Sequence, residues 1–142
     1  MKRYVIKNTE DISEAEFGYV DQWPWDYDYE PVTAFRVVHN DSKFILSLRC
    51  YEKDPVAHID YRNGFVCNDS CMEFFFSPCP ADGRYLNFEV NPNGCLHLGF
   101  GHGRHDSMRL LPKRVDERFG IKTARTGDGW ELTYRIPLEF LR

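Results

Sequence analysis

The chain has 142 residues and a formal net charge of −4, and it is 42% hydrophobic and 15% aromatic. That length suits one domain with a single packed core, and the apolar content excludes fibrous and disordered classes. Scattered Lys and Arg under a net negative charge exclude a nucleic-acid partner, which needs a concentrated basic surface.

In chain order, Met1-Lys2-Arg3-Tyr4-Val5-Ile6 is charged at its start, with only two aliphatic residues behind it. That is too little for a signal peptide or a membrane span, so a cytoplasmic location and no membrane partner are expected. Lys2 to Lys7 is expected as a first, edge strand. Asp11 to Phe17 suits a short helical turn, with Asp11 or Ser13 as its cap. Asp21 to Pro31 then sets four aromatics and four acids in one loop. It reads either as a sugar-stacking or Ca2+-binding loop, or as a plug in which Trp23 and Trp25 close one end of the core. The plug carries more weight, because large aromatics are mostly buried and the spacing is not that of an EF-hand.

Thr33 to Asn40 and Lys43 to Tyr51 read as a hairpin around His39-Asn40-Asp41-Ser42. Phe44, Leu46, Leu48 and Cys50 share one face, and Ile45, Ser47, Arg49 and Tyr51 share the other. Arg49 is therefore a candidate for binding sugar hydroxyls or for holding a glutamate, with an ordinary solvent-facing arginine as the alternative. Glu52 to Asn68 is a long loop, a natural binding rim beside a rigid sheet.

Asn68 to Pro78, N-D-S-C-M-E-F-F-F-S-P, reads as a central strand. Met72, Phe74 and Phe76 lie on one side, and Cys71, Glu73 and Phe75 on the other. A carboxylate beside an aromatic in mid-strand suits sugar recognition. Arg84 to Asn91 repeats the pattern, with Leu86, Phe88 and Val90 against Tyr85, Asn87, Glu89 and Asn91. After the Pro92-Asn93-Gly94 turn, Leu96, Leu98 and Phe100 point inward, and Cys95, His97 and Gly99 outward. As adjacent antiparallel strands, these three would gather Glu73, Asn87, Glu89, Asn91 and His97 into one polar field, with Tyr85 and Phe75 as flat surfaces within it.

Gly99 to Asp106, G-F-G-H-G-R-H-D, lacks the lysine and spacing of a phosphate loop and is expected as a flexible loop at the end of the sheet. Gly120 to Thr126 and Gly129 to Pro137 read as a closing hairpin, with Trp130, Leu132, Tyr134 and Ile136 in the core. Leu138 to Arg142 starts a short helix after Pro137.

The run N-D-S-C-M-E-F-F-F-S-P, followed by Y-L-N-F-E-V-N-P-N-G and G-W-E-L-T-Y-R-I-P, resembles the family 9 carbohydrate-binding modules in their family 9-like bacterial branch. F-R-V-V-H-N-D and F-I-L-S-L-R-C-Y-E upstream fit as well, so the resemblance runs from Pro31 to Pro137. It implies one all-β domain over residues 1–142, an antiparallel two-sheet β-sandwich of the jelly-roll type. It also implies non-catalytic binding of a mono- or oligosaccharide in support of polysaccharide breakdown. Glu73, Asn87, Glu89 and Asn91 would hydrogen-bond vicinal hydroxyls, and the resemblance carries Glu73 and Asn91 best. The family commonly has a stacking tryptophan just before its D-S pair; here that tryptophan is absent, so either Phe65 or Tyr61 substitutes for it or the site is degraded. Members also continue past the I-P segment, so the chain is expected as a shortened member or a fragment, with an edge open to self-association.

Other readings remain open. Glu73 and Glu89 on neighbouring strands have the makings of a glycoside hydrolase pair, and a solvated polar face would suit a protein-interaction module. Five cysteines without C-x-x-C spacing read as free, buried thiols. A metal site from Cys67, Cys71 and a histidine is the alternative to that, against the tighter paired spacing of structural zinc sites.

Overall fold

The computed structural model describes residues 3–24 and 28–141. Trp25, Asp26 and Tyr27, and with them the plug expected of Trp25, lie outside the described residues. The strands in chain order are β1 (Lys7–Asn8), β2 (Gly18–Val20), β3 (Val32–His39), β4 (Lys43–Tyr51), β5 (Met72–Phe76) and β6 (Tyr85–Val90). They continue as β7 (Leu96–Gly103), β8 (Asp106–Arg109), a short helix α1 (Val115–Phe119), β9 (Lys122–Thr126) and β10 (Gly129–Pro137). Among the described residues these strands form a six-stranded and a four-stranded sheet, and the architecture is all-β. The chain divides into two compact units, Met1–Asp54 with Val115–Arg142, and Pro55–Arg114.

The first unit holds the six-stranded sheet, ordered β1-β3-β4-β10-β9 with β2 also on β3. The expected first strand is reduced to Lys7–Asn8, and it pairs with β3 in parallel. The helical turn forms at Ile12–Glu14, where the Asp11 carboxylate accepts from the Ser13 N–H at 2.8 Å. β3 and β4 make the expected hairpin, and the Asn40 side chain closes it by accepting from the Ser42 and Lys43 backbone N–H groups at 2.9 Å. Strand alternation buries Leu46, Leu48 and Cys50 on β4 and Trp130, Leu132, Tyr134 and Ile136 on β10. Each large side chain so buried contributes about 2 kcal/mol. Leu138–Leu141 forms a 3-10 turn.

The second unit is a meander, β5-β6-β7-β8, antiparallel throughout. Met72, Leu86, Phe88, Val90, Leu96 and Leu98 are buried, as a period of two requires. Here the structure corrects one expectation. The glycine-rich segment is not a loop: β7 runs through Gly103 and turns into β8, with a bulge between Gly101 and Gly103. Glycine is needed there because a Cβ on Gly101 would lie 1.9 Å from the Asp106 carbonyl oxygen. His102 Nδ1 and Asp106 Oδ2, 3.2 Å apart, tie the two strands beside the turn.

Candidate functional site

The polar field lies wholly within the second unit, and register places its members in rows. Glu73 on β5 is opposite Glu89 on β6, which is opposite His97 on β7. In the next row Phe75, Asn87 and Gly99 are partners, and beyond it Tyr85 faces Gly101. Because neighbouring strands sit about 4.8 Å apart, a row of three residues spans about 10 Å.

Three buried polar atoms in these rows have no hydrogen-bond partner among the described residues: Asn87 Oδ1, Glu89 Oε2 and His97 Nδ1. Glu89 is only 8% exposed, and its other oxygen accepts from Asn87 Nδ2 at 2.6 Å. Buried polar atoms are nearly always paired, so three orphans on neighbouring positions of one face are unusual. Glu73 is open to solvent, yet its pKa is raised, first by desolvation and then by the charge of Glu89. A hydrogen bond from Cys71 and the positive charge of Arg104 offset part of that rise. The Cys71 thiol donates to Glu73 Oε1 at 3.5 Å, and desolvation together with the Glu73 charge keeps this thiol protonated.

Asn91 is corrected from ligand contact to scaffold. It is 0% exposed, and all its hydrogen-bonding positions are taken. Its Nδ2 donates to the Ile59 carbonyl at 2.8 Å and to Asp69 Oδ2 at 2.9 Å, while its Oδ1 accepts from the Cys95 and Asn93 N–H groups at 2.9 and 3.2 Å. The reason is local. β6 ends at Val90, so Asn91 belongs to the turn and no longer follows the facing rule of the strand.

Asp69, which the sequence reading passed over, anchors the same knot. Its side chain is 1% exposed, and its oxygens accept from the His58 and Ile59 N–H groups at 3.0 and 2.9 Å. Desolvation pushes this carboxyl up, but the donors from Ile59, Asn91 and His58 prevail and hold it below its ordinary value. Ser70 and Asn93 complete the staple, the first accepting from Val56 N–H at 2.9 Å, the second donating to Ala57 and Ile59 carbonyls. Much of the Asn68-Asp69-Ser70 and Asn91-Pro92-Asn93-Gly94 signature therefore clamps the rim loop. An aspartate shortly before one strand and an asparagine immediately after the next are the signal that could have shown it.

Phe65 belongs to this clamped loop. It stays 59% exposed, its ring stacked on His97 with centroids 6.0 Å apart and 29° between planes, and the Arg109 guanidinium lies 5.0 Å from its centroid. Tyr85 and the exposed Phe75 form a second aromatic pair, 5.4 Å apart. Arg109, on β8, was not legible as a member of this surface because the segment before it reads as a loop.

Arg49 has partners of its own. It lies in the first unit, where its guanidinium bonds Asp128 Oδ1 at 2.9 Å and Glu131 Oε1 at 3.1 Å, and Glu131 is its direct cross-strand partner. It is thus engaged within its own sheet. Trp23 is 37% exposed and donates to the Pro31 carbonyl at 3.1 Å, so it is not a core plug. The first unit has a concavity of its own, about 440 Å³, lined by Arg3, Tyr4, Phe17, Gly18, Tyr19, Asp21 and Phe35. All five thiols are free; Cys50 is buried, but Cys67 and Cys79 are exposed, against the expectation of buried thiols. Of the acids behind the alternative calcium reading of this loop, Asp26 lies outside the described residues, and Asp21, Asp28 and Glu30 are exposed.

The family model described as carbohydrate-binding family 9 matches residues 5–140. The chain belongs to carbohydrate-binding family 9. The match extends beyond both ends of the Pro31 to Pro137 stretch that carries the resemblance in the sequence. This family 9 chain is similar in structure to a candidate carbohydrate-binding protein from Bacteroides uniformis ATCC 8492, with 27% identity and a TM-score of 0.81, over 99% of this chain and 75% of that one. It is also similar to a family 9 module from Caldicellulosiruptor kristjanssonii in complex with cellotriose, with 13% identity, a TM-score of 0.59 and coverage of 96% and 67%. The glucose complex of a family 9 module from the same organism matches with 14% identity and a TM-score of 0.53, over 96% of this chain and 65% of that one. The last two likenesses bear on the fold, the two-sheet β-sandwich of the family. No curated protein matches the chain.

Proposed function

We propose that this family 9 module binds a mono- or oligosaccharide on the polar face of β5, β6 and β7, without catalysis, as an aid to polysaccharide breakdown. One observation carries the reading: Asn87 Oδ1, Glu89 Oε2 and His97 Nδ1 are buried, unpartnered and side by side. Sugar hydroxyls both donate and accept, so they are able to supply the missing partners. Glu73 accepts from a further hydroxyl, and Phe65, held on His97, presents an open ring to the apolar face of the sugar. Relatives of the same fold are complexed with glucose and cellotriose, so a glucose-type ring is the first ligand to try.

Amide chemical-shift mapping with glucose and cellotriose tests the placement. Shifts should concentrate on β5 to β7 and on the segment around Phe65. Shifts concentrated on Phe17, Tyr19 and Phe35 would move the site to the first unit and overturn the reading.

A second reading, glycoside hydrolysis, is favoured by the direct opposition of Glu73 and Glu89 and by the raised pKa of Glu73. Release of nitrophenol from aryl glycosides distinguishes it. Binding without catalysis predicts the same rate for the native chain and for a Glu73→Gln/Glu89→Gln chain.

A further inference from the structure

We propose that Cys71, Glu73 and Glu89 form a site for a zinc-class divalent cation. One ligand atom from each of the three lies within 4.8 Å of the others, and no second group of this kind occurs among the described residues. The Cys71 Sγ to Glu73 Oε1 separation of 3.5 Å is already about the edge of a tetrahedron around zinc with one sulfur and one oxygen ligand. The independent sign of a guest is Glu89: it is buried to 8% exposure, and its Oε2 has no partner. Two opposed carboxylates beside a thiol repel one another until a cation is placed between them.

The donor set selects the metal. Calcium and magnesium take six or more oxygen ligands and have no use for a thiol. One sulfur and two carboxylate oxygens suit a borderline cation with a fourth position left for solvent. On binding, the Cys71 thiol gives up its proton to solvent and ligates as the thiolate. Because Glu73 and Glu89 also serve the sugar site proposed above, cation and sugar compete for them; this last clause rests on that reading, whereas the metal site does not.

The test uses the full chain, reduced and stripped with chelator, titrated with Co2+ and then with Zn2+. One equivalent of Co2+ should produce a near-ultraviolet thiolate-to-cobalt band, which Zn2+ removes and excess Ca2+ does not. Cys71→Ser should abolish the band, Glu89→Gln should weaken binding about tenfold or more, and Cys79→Ser should change neither. Absence of a stoichiometric band, or its survival in Cys71→Ser, overturns the site. If Cys71→Ser does not fold, Glu89→Gln with a native circular dichroism spectrum decides, and unchanged affinity there overturns it too. Sugar titrations with and without Zn2+ keep the two readings apart: metal binding without sugar binding sinks only the carbohydrate reading, and the reverse result sinks only the metal site.

Discussion

Glu73 and Asp69 are carboxylates with opposite tasks, and their surroundings show it. Glu73 has a raised pKa because desolvation and Glu89 act on it with too little compensation. A raised folded value means that the charged form destabilises the fold at neutral pH, so Glu73→Gln should raise the melting temperature there while it weakens sugar binding. Asp69 is the reverse, lowered from its ordinary 3.8 by the donors of the clamp. Its contribution is fully present above that value and is lost as the pH falls through the lower, folded one. Asp69→Ala removes the acceptor for two backbone N–H groups and one amide, and should cost about 3 kcal/mol in urea unfolding at pH 7. The same chain should also show a flatter loss of stability between neutral pH and acid than the native one. Phe65→Ala should weaken sugar binding by about 1 kcal/mol and leave the melting temperature nearly unchanged, since the ring is mostly in solvent.

Elements explain which parts of the site were legible from residues alone. Alternation on Tyr85 to Val90 and on Leu96 to Phe100 was enough to set Asn87, Glu89 and His97 on one face, because a period of two has a single consistent register once the core face is apolar. Asn91 escaped that logic by one residue, since the ladder stops at Val90 and the side chain turns to bind the rim loop. Arg49 is a different case: strand alternation says which way its side chain leaves the sheet but not that Glu131 stands directly opposite it. The β7 and β8 hairpin was missed because glycine signals both flexibility and close backbone approach, and here the second meaning applies. Gly101→Ala should therefore cost about 2 kcal/mol or more, with faster amide exchange in β7 and β8, as the added methyl meets the Asp106 backbone. A neutral result would mean that the hairpin is not as tightly paired as its register indicates.

At the scale of the molecule, the family 9 match over residues 5–140 and the two-sheet architecture describe the scaffold, and no helix among the described residues is long and apolar enough to cross a membrane. The polar surface is carried by the second unit. The tryptophan expected before the D-S pair is missing, a phenylalanine rests on a histidine nearby, and two glutamates face each other with a thiol beside them. A ring held by stacking and a floor of unpartnered acceptors together suit a polyhydroxylated ligand. The most direct measurement is calorimetric titration of the chelator-treated chain with glucose, cellotriose and a panel of other mono- and disaccharides. The account predicts saturable heat at one site for at least one of them, with affinity falling about tenfold or more in Glu73→Gln, the loss of one hydrogen bond to a charged group. No saturable heat across the panel, or an affinity indifferent to Glu73→Gln, would contradict it.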